Sequence, residues 1–136
     1  MKTNSTMIAI IRRHFPDVQG IYLFGSHTQE SARPDSDLDI ALLLPHEQAK
    51  QLKSLAGGDC RFELENTLHQ TIDLINARLV ATVLQKEIIC GDLVYCSDRR
   101  AVEEFEMLTL SYYQKLNQER AAILEEFYKT GRAFTV

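Results

Sequence analysis

Apolar residues Met7, Ile8, Ile11 and Phe15 recur at helical intervals, which predicts an N-terminal helix. Asn4 or Ser5 is placed to cap it, and Pro16 to end it. Ile21-Tyr22-Leu23-Phe24, bracketed by Gly20 and Gly25, is β-branched and aromatic and reads as a short buried strand. The polar stretch 27–33 reads as a turn or short helix, closed by Pro34-Asp35-Ser36. Asp37–Leu44 reads as a second strand that Pro45 terminates. A helix-like segment follows over 46–56, with a break at Gly57-Gly58. Phe62, Leu64 and Leu68 then predict a helix over 60–69. Thr71–Ile75 predicts a third strand, residues 79–90 a helix with Leu79, Val83, Leu84 and Ile88 on one side, and Leu93-Val94-Tyr95 a fourth strand. Strands alternating with helices place the chain in a mixed α/β or α+β class.

From Asp98 to Lys129 no Pro or Gly interrupts the chain. The segment predicts one long helix or two stacked ones, with Asp98 as N-cap and Gly131 as the stop. It carries two apolar stripes. Phe105, Leu108, Tyr112, Leu116, Ile123 and Phe127 form the first; Leu110, Tyr113, Ala121, Leu124 and Tyr128 form the second. One stripe suffices to pack on a core, so the second needs cover from a helical hairpin or from a partner.

The whole chain, 136 residues with 45% apolar and 25% charged positions, is the size and composition of one globular domain. Its net charge of −4 disfavours nucleic acid as the main partner, because phosphate-backbone binding rests on clustered Lys and Arg. Cys60, Cys90 and Cys96 are odd in number and lack metal-ligand spacing, which suggests buried, reduced thiols and a cytoplasmic protein. The apolar run at residues 7–11 is too short for a signal peptide or a membrane span and ends in Arg12-Arg13-His14.

The chemistry is concentrated in Gly25-Ser26, followed after ten residues by Asp37-Leu38-Asp39. Period-2 alternation puts Asp37 and Asp39 on one face of their strand and Leu38, Ile40, Leu42 and Leu44 on the other, in a core. Two carboxylates so close repel each other, so a cation between them is the economical explanation. Mg²⁺ takes hard oxygen ligands, and one or two carboxylates plus substrate phosphates suffice for it. Gly25 lets the backbone approach a ligand, and a Ser hydroxyl with helix-opening amides can hold a phosphate, although the GK[ST] end of a P-loop is missing. Asp73, between Ile72 and Leu74, is the candidate third carboxylate, able to face the other two if strand 71–75 lies beside strand 37–44. His27 and Arg33 are further candidates for nucleotide contact, although a surface position and a brace on Asp35 or Asp37 are their plainer readings. Arg99-Arg100 opens the long helix, where positive charge opposes the dipole, and reads as a solvated face or a contact to nucleotide or partner.

The run FGSHTQESARPDSDLDIALLL resembles the signature of the polymerase-β-like nucleotidyltransferase superfamily, in particular its minimal branch with GS, ten residues and DxD. Ala32-Arg33 and Ser36 also match that branch, whereas His27, Gln29 and Glu30 depart from its usual basic and Arg-Gly residues. The resemblance implies an α+β fold: a small mixed sheet with flanking helices and a long C-terminal helix. Residues 1–136 would form a single nucleotidyltransferase domain, with a catalytic core over 1–97 and a helical segment over 98–136. It further implies that Asp37, Asp39 and Asp73 are catalytic and hold Mg²⁺, that Gly25 and Ser26 bind nucleotide, and that ATP is the substrate. Proteins of this branch and size are commonly antitoxins that transfer AMP to a tyrosine of a HEPN ribonuclease toxin, so such a toxin is the expected partner. The alternatives are a small-molecule nucleotidyltransferase of the antibiotic-modifying kind and an antitoxin that acts by binding alone. The first usually needs a larger acceptor region, and the second does not need intact carboxylates.

Overall fold

The computed structural model describes residues 2–25, 37–52, 54–55 and 58–130. Chain order is α1 (Lys2–His14), β1 (Gly20–Phe24), β2 (Leu38–Leu43), α2 (His46–Leu52), α3 (Asp59–Leu68), β3 (Ile72–Asn76), a 3₁₀ turn (Ala77–Leu79), α4 (Thr82–Ile89), β4 (Asp92–Cys96) and α5 (Arg99–Thr130). Among these residues the strands form one mixed sheet in the order β3-β2-β1-β4. β1 runs antiparallel to both neighbours, and β2 and β3 are parallel.

Alternation along the strands divides the core in two. Ile21 and Leu23 of β1, Leu38, Ile40 and Leu42 of β2, and Ile72 and Leu74 of β3 point to one face, with Leu44 just beyond β2. There they meet Met7, Ile10 and Ile11 of α1, Ala49 of α2, and Cys60 and Leu64 of α3. Tyr22, Phe24, Ala41 and Leu43 point to the opposite face, against Ile88 of α4 and Val102 and Phe105 of α5. The expected inward set Leu38, Ile40, Leu42 and Leu44 is therefore the observed one. All four are essentially inaccessible, which at about 1.5–3 kcal/mol for each large side chain makes this strand a main source of stability.

Local expectations fail where helical phase is finer than an apolar count. α1 starts at Lys2, so Asn4 and Ser5 lie within the helix rather than capping it, and Ile10 takes the buried place expected of Ile8. In α3 the buried pair is Cys60 and Leu64, one turn apart; Phe62 stands about 200° from both and is 68% exposed. Leu79 falls in the 3₁₀ turn before α4, outside its stripe, and Val83 is exposed, leaving Leu84 and Ile88 to face the core. Of the three free cysteines only Cys60 is buried; Cys90 is exposed and Cys96 intermediate, so three buried thiols was too broad a reading.

α5 is one continuous helix of 32 residues, about 48 Å long, rather than a hairpin. Asp98 caps it as expected, its Oδ1 accepting the Ala101 N–H at 3.0 Å. Its docked face is Val102, Phe105 and Thr109, tied down by the Tyr22 hydroxyl, which donates to Glu106 Oε2 at 2.7 Å. Leu108 and Tyr112, assigned to the same stripe by spacing, remain exposed. Gly131 lies outside the described residues. No helix among the described residues is long and apolar enough to cross a membrane.

Two buried acids make stability fall at high pH. Burial pushes the Cys60 thiol up to about 12, assisted by the negative charge of Glu63 and opposed by Arg13. Burial, then the hydrogen bond and charge of Glu106, pushes the Tyr22 phenol above its ordinary range. In both cases the folded state keeps a proton that the unfolded chain releases, so the stabilisation is complete below the unfolded pKa and declines above it. Urea midpoints should therefore drop progressively above about pH 9, where an unfolded thiol ionises, and more steeply above about pH 10. Tyr22→Phe should flatten the upper part of that decline.

Candidate active site

The polar end of the sheet is where β2 and β3 begin and β1 ends. Phe24 is opposite Asp39 in the antiparallel pair, and Asp39 is opposite Asp73 in the parallel pair. Adjacent strands lie about 4.8 Å apart, so the two acids are immediate neighbours across the ladder. Both sit on the face that carries Tyr22 and Phe24, away from the Leu38–Ile40–Ile72–Leu74 cluster. The expectation that strand 71–75 lies beside strand 37–44 is met. Asp37 precedes β2 with the same parity as Asp39 and is exposed; Asp73 is exposed and Asp39 partly covered.

Gly25 closes this corner. Its φ of +73° is a left-handed conformation that turns the chain out of β1. A Cβ there would overlap Asp39 Oδ2 and lie 3.2 Å from its Cγ. The backbone at Gly25 therefore rests directly on a candidate catalytic carboxylate, an approach only glycine allows. Ser26, His27, Gln29, Glu30, Ala32, Arg33 and Ser36 lie outside the described residues.

Three features that sequence reading overlooked hold the corner in place. β3 is an edge strand, and an edge leaves backbone groups unpaired. α3 covers them: Glu65 Oε2 accepts the Ile72 N–H at 2.9 Å, and Arg61 Nε donates to the Ile72 carbonyl at 2.9 Å. Arg61 and Glu65 also pair with each other at 3.2 Å, so both polar groups of the residue next to Asp73 are fixed. Their i,i+4 spacing was visible, but such pairs are commonplace on helices. The third feature is Gly91, which packs under β1; a Cβ there would overlap the Leu23 carbonyl and approach Phe24 Cα to 3.0 Å.

Among the described residues no three His, Cys, Asp or Glu side chains stand close enough together to hold a metal. Asp37, Asp39 and Asp73 share a face and a sheet end without closing into a ligand cluster. Mutual repulsion of the like charges favours this spread. The donor set itself, hard carboxylate oxygens beside a glycine turn, is chemically suited to Mg²⁺.

A polymerase beta nucleotidyltransferase family model matches residues 6–100, which span the sheet, Gly25 and all three acids. The chain belongs to the polymerase-β nucleotidyltransferase family. The protein adenylyltransferase MntA of Shewanella oneidensis is 32% identical over 120 residues, covering 88% of this chain and 84% of that protein. A crystal structure of a toxin–antitoxin with AMP-PNP superposes with a TM-score of 0.69 at 29% identity, over 92% of this chain and 98% of the other. A structure of the tri-AMPylated Shewanella oneidensis HEPN toxin in complex with MNT antitoxin gives a TM-score of 0.65 at 27% identity, over 93% and 96%. In this nucleotidyltransferase the mixed sheet, the flanking helices and the long last helix are thus those that the family resemblance implied.

Gly25→Ala tests the corner. The extra methyl must displace Asp39 or the turn, and an ångström-scale misplacement at a reacting centre costs about 10²-fold in rate. Nucleotidyl transfer should fall on that scale while far-UV circular dichroism is unchanged; a rate close to wild type would show that the contact between Gly25 and Asp39 does not matter.

Proposed function

We propose that this chain is the antitoxin of a toxin–antitoxin pair, which neutralises a HEPN ribonuclease toxin by transferring AMP from ATP to one of its tyrosines. The observation that carries this reading is the in-register pair Asp39–Asp73 beside the Gly25 turn, in a chain similar to MntA along nearly its whole length. Intact carboxylates favour an enzyme over an antitoxin that acts by binding alone.

In this reading Gly25 and Ser26 hold the triphosphate through backbone amides and the Ser hydroxyl. Asp37, Asp39 and Asp73 would hold Mg²⁺, which neutralises the triphosphate and the charge that builds up during transfer. The tyrosine oxygen bonds to the α-phosphorus, the bond from that phosphorus to the bridging oxygen of pyrophosphate breaks, and pyrophosphate leaves. Asp73, exposed on the edge strand, accepts the hydroxyl proton or completes a second cation site. The resulting phosphodiester puts negative charge and bulk on the toxin where RNA would have to bind. The absence of a P-loop Lys fits a site in which carboxylates and cations, rather than a lysine, manage the phosphate charge.

Asp39→Asn, and the pair Asp37→Asn/Asp39→Asn, should abolish transfer without unfolding the chain. Relief of carboxylate repulsion should leave the melting temperature of the metal-free double variant equal to or above that of wild type. The measurement is the mass gain of purified toxin incubated with ATP and Mg²⁺. Wild-type mass gain by the double variant, or full transfer in excess EDTA, would rule out the metal site.

Asp73→Asn should slow the step itself by roughly 10²-fold or more, as loss of a general base does, while ATP affinity changes little. Single-turnover rates at saturating ATP, set beside calorimetric ATP affinity, decide this. An affinity that collapses while the saturated rate survives would reassign Asp73 to nucleotide binding.

A further inference from the structure

α5 presents one face along its whole length but packs only half of it. At about 100° per residue, Val102, Phe105, Thr109, Leu116, Ile123 and Phe127 fall within an arc of roughly 60°. In the first half this face meets the domain core: Val102, Phe105 and Thr109 are buried and Leu116 is half-covered. From residue 117 to residue 129 every position is exposed. The apolar face nevertheless continues, with Ile123 at 50% and Phe127 at 36% exposure, widened by Leu124 at 54% and Tyr128 at 78%. The Phe127 and Tyr128 rings meet edge-on, 5.7 Å between centroids. A free helical extension of this length, about 20 Å, is marginal in water without tertiary cover.

We infer that the outer half of α5, Leu116–Tyr128, is the element by which this chain grips its acceptor protein, the HEPN toxin, with Ile123 and Phe127 at the centre of the contact. The inference rests on the adenylylation reading given above. A second copy of the chain fits less well. The four outer side chains offer on the order of 500 Å², given the 150–250 Å² of a single aromatic. A specific interface needs about 800 Å² from each partner. Two copies meeting through this segment alone would fall short. A protein substrate must also bring a tyrosine to Asp39 and Asp73, and that second contact supplies the missing area. On the same wheel Glu119 and Glu126 border the apolar face on one side and Glu125 on the other, while Arg120 lies on the face itself, one turn ahead of Ile123. The three glutamates make a polar rim suited to an apolar groove on the partner.

The test uses the full chain and its cognate, unmodified HEPN toxin. Ile123→Ser/Phe127→Ser should weaken toxin binding, measured calorimetrically without ATP, by about tenfold or more, as loss of a central apolar anchor does. The KM for toxin should rise in step, with ATP affinity and the rate at saturating toxin unchanged. Ile123→Leu/Phe127→Leu should restore binding, which separates a docking role from a general loss of helix. Wild-type toxin affinity in the folded Ser variant would overturn the proposal. So would a dimer of the chain alone, seen by sedimentation, that the Ser substitutions dissociate. A wild-type chain that binds toxin through this face yet transfers no AMP would support the docking surface and overturn the adenylylation reading.

Discussion

Parallel pairing of β2 with β3 sets Asp39 beside Asp73, and the rest of the molecule is arranged around keeping that pairing in register. Because side chains alternate, a slip of one residue would exchange the carboxylates with Ile40, Ile72 and Leu74. The apolar face forbids the slip: Leu38, Ile40, Leu42, Ile72 and Leu74 are all buried against α1 and α3. The hydrophobic side of the strands thus fixes where the carboxylates stand on the other side. The acids in turn stand on the face that α4 and α5 only partly cover.

An exposed carboxylate on an edge strand needs a rigid backbone beneath it. α3 provides this through the Arg61–Glu65 pair on Ile72, one residue from Asp73. On the other flank Gly25, at positive φ, follows β1 directly against Asp39, and Gly91 allows the turn before β4 to pack beneath Leu23 and Phe24. Both glycines are places where any side chain would meet backbone or a carboxylate, so the shape of the corner depends on their bareness.

α5 binds the sheet at one end only. The Tyr22–Glu106 hydrogen bond and the burial of Val102, Phe105 and Thr109 anchor its first turns, and the remainder extends as a single helix. The family match ends at residue 100, just inside this helix, whereas the similarity to solved toxin–antitoxin structures runs over more than nine-tenths of the chain. The helix therefore accompanies the nucleotidyltransferase core in those relatives without being part of the family's common domain.

Sequence by itself determined the strands, the inward face of β2 and the candidate acids. Period-2 alternation and the Gly, Pro and Asp punctuation are local properties, and the DxD spacing alone puts Asp37 and Asp39 on one side. The order of the strands, and so the partner of Asp39, was only a condition in the sequence; the parallel crossover through α2 and α3 decided it. Phe62 and Val83 count as core by hydrophobicity yet lie in solvent, because helical phase relative to neighbouring elements is a tertiary property. The contact between Gly25 and Asp39, the clamp of Arg61 and Glu65 on Ile72, and the point where α5 leaves the core each join residues far apart in the chain. Such contacts come into being only when the sheet closes, and for that reason the tertiary structure alone decided them.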